Sequence, residues 1–194
     1  MQRAIVRAGI PVWYTEGFNP HIYMTFALPL PLGYESICES MDIRLCQEMP
    51  FSEIVSRLSS ALPPDIRVKE AAVPVYKAEE IASALYHVEL LSGGEETGDW
   101  KKQFLSFMES GPITVEKKTK KGIKTIDIRL HCHLAGIDDI PQGLSFSLKT
   151  TAGNAGNINP TLLTDAFLKR TGMRDIYTKV VRQAMFTADG FLFR

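Results

Sequence analysis

Apolar positions along this chain recur in two rhythms, and the changes of rhythm mark its elements. Phe51, Ile54, Val55, Leu58 and Leu62 fall at helical spacing behind Pro50, and Pro63-Pro64 stops the run. Asp99 to Ser110 carries Trp100, Phe104, Phe107 and Met108 on one stripe and closes on Gly111-Pro112, the pattern of a helix packed on a core. Asn159 as a cap, Pro160 at the first helical position and Gly172 at the stop bracket another helix, with Leu162, Leu163, Ala166 and Phe167 facing inward. Met1 to Ala8 reads as the tail of a further helix that Gly9 ends.

A two-residue rhythm marks strands. Met41, Ile43 and Leu45 alternate with Asp42 and Arg44. Ile22 to Leu28 is apolar apart from Thr25, which predicts a strand buried on both faces, and Pro29 and Pro31 end its pairing. Ile66 to Val73 is predicted as the last strand of the first half. Beyond it come Leu85 to Leu91, a hairpin of Ile113–Lys118 and Ile123–Leu130 with Ile126, Ile128 and Leu130 alternating inward, then Leu144-Phe146-Leu148 and Tyr177 to Phe186. The first half thus runs helix, strand, strand, helix, strand, a β-α-β-β-α-β unit without its opening strand. The second half repeats the full order with an additional strand at 144–148. The predicted fold is α+β: two ferredoxin-like (βαββαβ) halves side by side, residues 1–76 and 85–194, joined by a linker at 77–84. A single mixed sheet is the alternative.

Composition narrows the function classes. The chain has 194 residues, 45% hydrophobic and 23% charged, enough to bury a core without disulfides or metal. Lys+Arg and Asp+Glu are 22 each, so only a local patch favours nucleic acid. Cys38, Cys46 and Cys132 lack metal-type spacing and suit free thiols in a cytoplasmic protein. No apolar run reaches the ~20 residues of a membrane span, and the N-terminus carries no secretory signal.

Three stretches are candidate binding sites. In the turn Glu16-Gly17-Phe18-Asn19-Pro20-His21, glycine opens backbone angles barred to other residues, proline fixes its own, and histidine is a side-chain type that can take or give a proton. Glu16, Asn19 and His21 could line a recognition pocket; a rigid turn that sets strand register is the plainer role. Gly153-Asn154-Ala155-Gly156-Asn157 precedes a helix N-terminus, where free N–H groups favour an anion, though it matches neither a Walker loop nor a dinucleotide fingerprint; a flexible loop is the plainer role. Lys117, Lys118, Lys120, Lys121 and Lys124 give one hairpin a local positive surface able to meet phosphates, without aromatics for base stacking; a solvated edge is the plainer role. His131-Cys132-His133 tempts as a metal site, but only the two histidines share a strand face, short of the four ligands of a closed site. No catalytic residue, metal ligand or cofactor is assigned.

Arg7-Ala8-Gly9-Ile10-Pro11, Gly17-Phe18-Asn19-Pro20-His21 and Ala27-Leu28-Pro29-Leu30-Pro31-Leu32-Gly33 resemble the radical-SAM-linked proteins, a bacterial family of unknown function. A weaker likeness continues through Lys118–Gly122 and Arg182–Phe186. Its members stand alone or follow radical-SAM proteins with a cobalamin-binding-like domain. They usually open with a strand before the first helix, whereas Met1 here falls inside that helix, so the N-terminus is expected to be truncated. A vacant strand position invites pairing with another chain, including a second copy. With no Cys-x3-Cys-x2-Cys cluster, the chain is not itself a radical-SAM enzyme.

Three functions follow. The first is a non-catalytic recognition module for a radical-SAM partner, with RNA as one candidate ligand. The second is a small enzyme with His21 as acid or base. The third is a purely structural partner subunit.

Overall fold

Helices form where the apolar stripes predict them, and the ladders show which strands share a core. The computed structural model describes residues 1–94, 98–119, 122–153 and 156–194. In chain order the helices and strands are α1 (Gln2–Arg7), β1 (Met24–Phe26), β2 (Glu35–Ser36), β3 (Met41–Ile43), α2 (Phe51–Ala61), β4 (Ile81–Ser92), α3 (Trp100–Glu109), β5 (Thr114–Thr119), β6 (Gly122–Asp127), β7 (Cys132–Ile140), β8 (Gly143–Thr151), α4 (Pro160–Thr171) and β9 (Ile176–Thr187). The fold is α+β. It divides into two units: residues 1–27 and 40–77 with Arg194, and residues 28–39 with 78–193.

The first unit packs α1 and α2 around Ala4, Ile5, Ile10, Val12, Ile22, Ile54 and Leu58. Gly9, at φ 61°, ends α1 in a left-handed conformation that a side chain would strain. Arg7 then donates from Nη2 to the carbonyl of Ala61 at the end of α2, at 2.7 Å. β1 and β3 pair antiparallel with Thr25 opposite Asp42. Two expectations fail here. The run Ile22–Leu28 is not a strand buried on both faces: β1 spans three residues, and Thr25 and Phe26 are exposed. Ile66–Val73 forms no strand. Val68 and Ala71 pack on the core, yet among the described residues the backbone of Val68, Glu70, Ala71, Ala72 and Val73 makes no hydrogen bond. A strand needs a ladder of backbone bonds, and these five residues supply none among the described residues.

The second unit is built on a five-stranded sheet in the order β2-β9-β4-β8-β7, antiparallel except for β2 beside β9. Ala84, Tyr86, Val88 and Leu90 of β4 and Leu144, Phe146 and Leu148 of β8 are buried at alternate positions. Trp100, Phe104, Phe107 and Met108 of α3 and Leu163 and Phe167 of α4 complete that core. The Phe104 ring lies 4.6 Å from Phe146 and 5.0 Å from Phe167, centroid to centroid. Asp99 caps α3 by accepting from Lys102 N–H at 3.1 Å.

The predicted hairpin forms, as β5 and β6, but as a separate two-stranded sheet. The strands between α3 and α4 in the large sheet are β7 and β8. Ile128 is buried as expected, but the inward alternation stops there, at a turn set by Asp127. Its carboxylate accepts from the N–H groups of Ile113 at 2.9 Å and Arg129 at 3.0 Å, the chain turns into a 3-10 segment, and Leu130 is exposed. Residues 28–39, read from sequence as part of the first half, lie with the second unit, and Ile81–Ala84, read as linker, begin β4.

Candidate functional site

The Glu16–His21 turn is a closed, solvent-facing ridge. Tyr14 bridges Ile22, Thr15 N–H donates to the His21 carbonyl at 2.8 Å, and His21 N–H donates to Thr15 Oγ1 at 3.1 Å. The imidazole Nδ1 lies 3.0 Å from that hydroxyl and 3.3 Å from the Asn19 carbonyl, which can only accept. Nδ1 donates to that carbonyl in the tautomer that carries its proton there, and accepts from the Thr15 hydroxyl in the other. Glu16, Gly17, Phe18, Asn19, Pro20 and His21 are all exposed, Phe18 completely. Two surface cavities, about 300 and 580 Å³, lie in the second unit around Met108, Glu109 and Arg129.

Beside the ridge stands a cluster that the pattern reading missed. The Trp13 and Tyr23 rings meet edge to face at 5.8 Å, and the Arg44 guanidinium sits over the Trp13 ring at 4.7 Å. Backbone bonds hold the three together: Tyr23 N–H to the Trp13 carbonyl at 3.0 Å and Trp13 N–H to the Arg44 carbonyl at 2.8 Å. Tyr23 and Arg44 are exposed. Among the described residues no carboxylate pairs with Arg44 and no hydrogen bond engages its side chain. Alternation marks Trp13 and Tyr23 as outward, one position from the core residues Val12 and Ile22, but nothing local joins them to Arg44.

The glycine loop has a structural requirement of its own. Gly153 sits at φ 75°, and a Cβ there would come within 2.1 Å of the Ile81 carbonyl oxygen. Gly156 N–H donates back to the Gly153 carbonyl at 3.3 Å. Asn154 lies outside the described residues. The first turn of α4 is already served: Thr161 N–H donates to the Tyr34 hydroxyl at 3.3 Å, and Leu162 N–H to the Asn159 carbonyl at 3.0 Å. Asn159 occupies the cap position without a side-chain bond. An anion here would displace Tyr34 from one of the two donors.

In the hairpin, Lys117 faces Lys124 directly across the strands. Like charges so placed repel. Lys117 Nζ donates to the Asn157 carbonyl, joining two of the predicted sites, and Lys124 is exposed. Lys120, Lys121 and the side chain of Lys118 lie outside the described residues.

Other polar groups are accounted for by the fold. His131 lies in the 3-10 turn with Nδ1 3.1 Å from Thr151 Oγ1, and β7 begins at Cys132. Burial pushes the Cys132 thiol up to about 12, so it stays protonated. Among the described residues no group of three potential metal ligands occurs. Arg182, 1% exposed, donates from Nη1 to the Leu28 carbonyl at 2.7 Å and to Glu39 Oε1 at 2.8 Å, and from Nη2 to the Pro29 carbonyl at 3.3 Å. The Leu-Pro-Leu-Pro segment is thereby a cradle for a buried cation. Burial holds the phenols of Tyr34 and Tyr86 above their usual range.

No curated protein and no solved structure matches this chain. A family model does, over residues 1–160, described as an uncharacterized protein conserved in bacteria (DUF2344). The chain that carries the exposed turn, the aromatic–arginine cluster and the arginine cradle belongs to that family.

Proposed function

We propose that this chain is a non-catalytic recognition module that binds RNA for a radical-SAM protein. The observation that carries the RNA reading is the cross-strand pair of Lys117 and Lys124. Two lysines at directly opposed positions repel, and although Lys117 reaches the Asn157 carbonyl, an anion over the pair would relieve that repulsion. The open setting of the Glu16–His21 ridge favours recognition over catalysis. The radical-SAM partner rests on the likeness of the motifs at residues 7–11, 17–21 and 27–33.

The same reading takes the second unit as a ferredoxin-like layer. The run β4-α3-β7-β8-α4-β9, with sheet order β9-β4-β8-β7 and every pair antiparallel, supports it, the β5–β6 hairpin being an insertion after α3. For the first unit the support is the β1–β3 pair with a helix on either side in sequence. In that reading, the outer edge of β3 is where a further strand, from a partner or a second copy, would pair.

Binding of a fluorescent single-stranded RNA, followed by anisotropy across salt concentrations, tests the proposal. Affinity should fall with salt, and the Lys117→Ala/Lys124→Ala double variant should reduce the logarithmic slope by about 1.4. Binding no tighter than that of a neutral control protein at low salt refutes RNA as the ligand. Absence of any radical-SAM protein from a pull-down in the native host refutes the partner.

A further inference from the structure

The lysine hairpin offers phosphate contacts without any flat surface for a base, so single-stranded RNA held there alone would be gripped by its backbone only. The flat surface exists in the first unit. We infer that Trp13, Tyr23 and Arg44 form a stacking platform for unpaired nucleotides, with a base lying on the Tyr23 ring and a phosphate against the Arg44 guanidinium. This rests on the RNA reading above and names the residues that would make it selective for single strands.

Three features point to this ligand. Tyr23 is 47% exposed although its ring meets the Trp13 ring at 5.8 Å, so about half of the residue is still available to a ligand. Arg44 is held by the indole, which leaves its N–H groups directed to solvent, and among the described residues no acceptor engages them. A guanidinium stacked this way is preorganised: the ring constrains its rotation and its donors stay free for two oxygens of one anion. An apolar peptide would cover Tyr23 but leave Arg44 without an acceptor in a partly dry contact, which is costly. A nucleotide supplies a π-face and an anion a few ångströms apart. The closed turn fixes Tyr23 against Trp13, and Phe18, fully exposed at its tip, extends the apolar surface along the same hairpin.

The charged side chains on this strand edge are Arg44 and Asp42. Asp42 shares the outward register with Arg44, two residues away on the same strand edge, and burial holds its carboxyl above the usual range. It makes no ion pair with Arg44. A bound phosphate chain therefore meets a single arginine with a carboxylate two residues away, and the base contact has to come from stacking.

The test uses the whole chain, a labelled single-stranded RNA of mixed sequence and the same RNA annealed to its complement. Tyr23→Ala and Arg44→Ala change exposed side chains, and circular dichroism checks that both fold. Each should weaken single-strand binding about tenfold, leave duplex binding unchanged, and abolish the quenching of Trp13 emission that stacking produces; Trp100, the other tryptophan, is buried in the second unit. Wild-type affinity in both variants with Trp13 emission unmoved overturns the platform while leaving the RNA reading in place. Equal affinity for single strand and duplex also overturns it. No binding of either RNA at low salt removes the RNA reading and the platform together.

Discussion

Removing Glu39 should cost more than removing the arginine it serves. Arg182 is 1% exposed, and its charge is met by one carboxylate at 2.8 Å and the carbonyls of Leu28 and Pro29. In Glu39→Ala the guanidinium stays buried with two neutral carbonyls, and its Nε already lacks a partner. Breaking a buried pair from this side typically costs 3–5 kcal/mol. Glu39 is 30% exposed, so water reaches the vacated position, and about 3 kcal/mol is the expected loss. In Arg182→Met the stem volume is largely kept, the buried charge disappears and Glu39 rehydrates. The loss should be about 1 kcal/mol, for the unpaired Leu28 carbonyl. The double variant should then be no less stable than Glu39→Ala alone. Urea unfolding followed by Trp100 emission in a Trp13→Phe background reports the second unit. With a slope of about 2 kcal/mol/M, Glu39→Ala should lower the midpoint by about 1.5 M. An Arg182→Met variant as damaged as Glu39→Ala, or strictly additive losses in the double variant, would refute the uncompensated-charge account.

Other expectations come from single contacts. Gly153→Ala drives a Cβ to 2.1 Å from the Ile81 carbonyl at a positive φ, so it should destabilise the second unit by about 3 kcal/mol or more in the same unfolding assay. Tyr34→Phe removes the acceptor of Thr161 N–H and should cost about 1 kcal/mol without altering the fold by circular dichroism. The Cys132 thiol, raised from 9.0 to about 12, has about a thousandfold less thiolate than an ordinary cysteine, so iodoacetamide at mild alkaline pH should modify exposed Cys46 and spare Cys132 until the chain unfolds. Burial raises the Asp42 carboxyl above 3.8, so the folded chain binds that proton more tightly than the unfolded chain. Its effect on stability is nil below 3.8 and unfavourable once pH rises through the window above it. Asp42→Asn should match wild type near pH 3 and exceed it near pH 7 in thermal melts.

The helices were legible because each carries a full apolar stripe and a stop signal: α2 ends at Pro63-Pro64, and α4 ends with Gly172 at φ 73°. Strands were harder wherever one run of residues serves two cores. Ile22 is buried in the first unit while Leu28 belongs to the second and gives its carbonyl to Arg182, so the continuous apolar stretch between them is no single buried strand. β7 was missed because a bulge between Leu134 and Gly136 breaks its two-residue period. The exposed turn was legible from its glycine and proline. The Trp13–Tyr23–Arg44 cluster was not, because it joins three segments that only the β1–β3 and Tyr14–Ile22 pairings align. The cradle was equally hidden: nothing local to Arg182 announces partners more than 140 residues away.

That cradle limits how the polypeptide can be divided. Residues 28–39 leave the first unit, serve the second, and return at Ser40. A cut near residue 77, the obvious place to separate the halves, would strip the C-terminal fragment of β2, of the α4-capping hydroxyl and of every acceptor for its most deeply buried cation. Neither portion is a free-standing cassette, and gene shuffling between relatives would have to exchange the dozen residues of this excursion along with everything downstream of them.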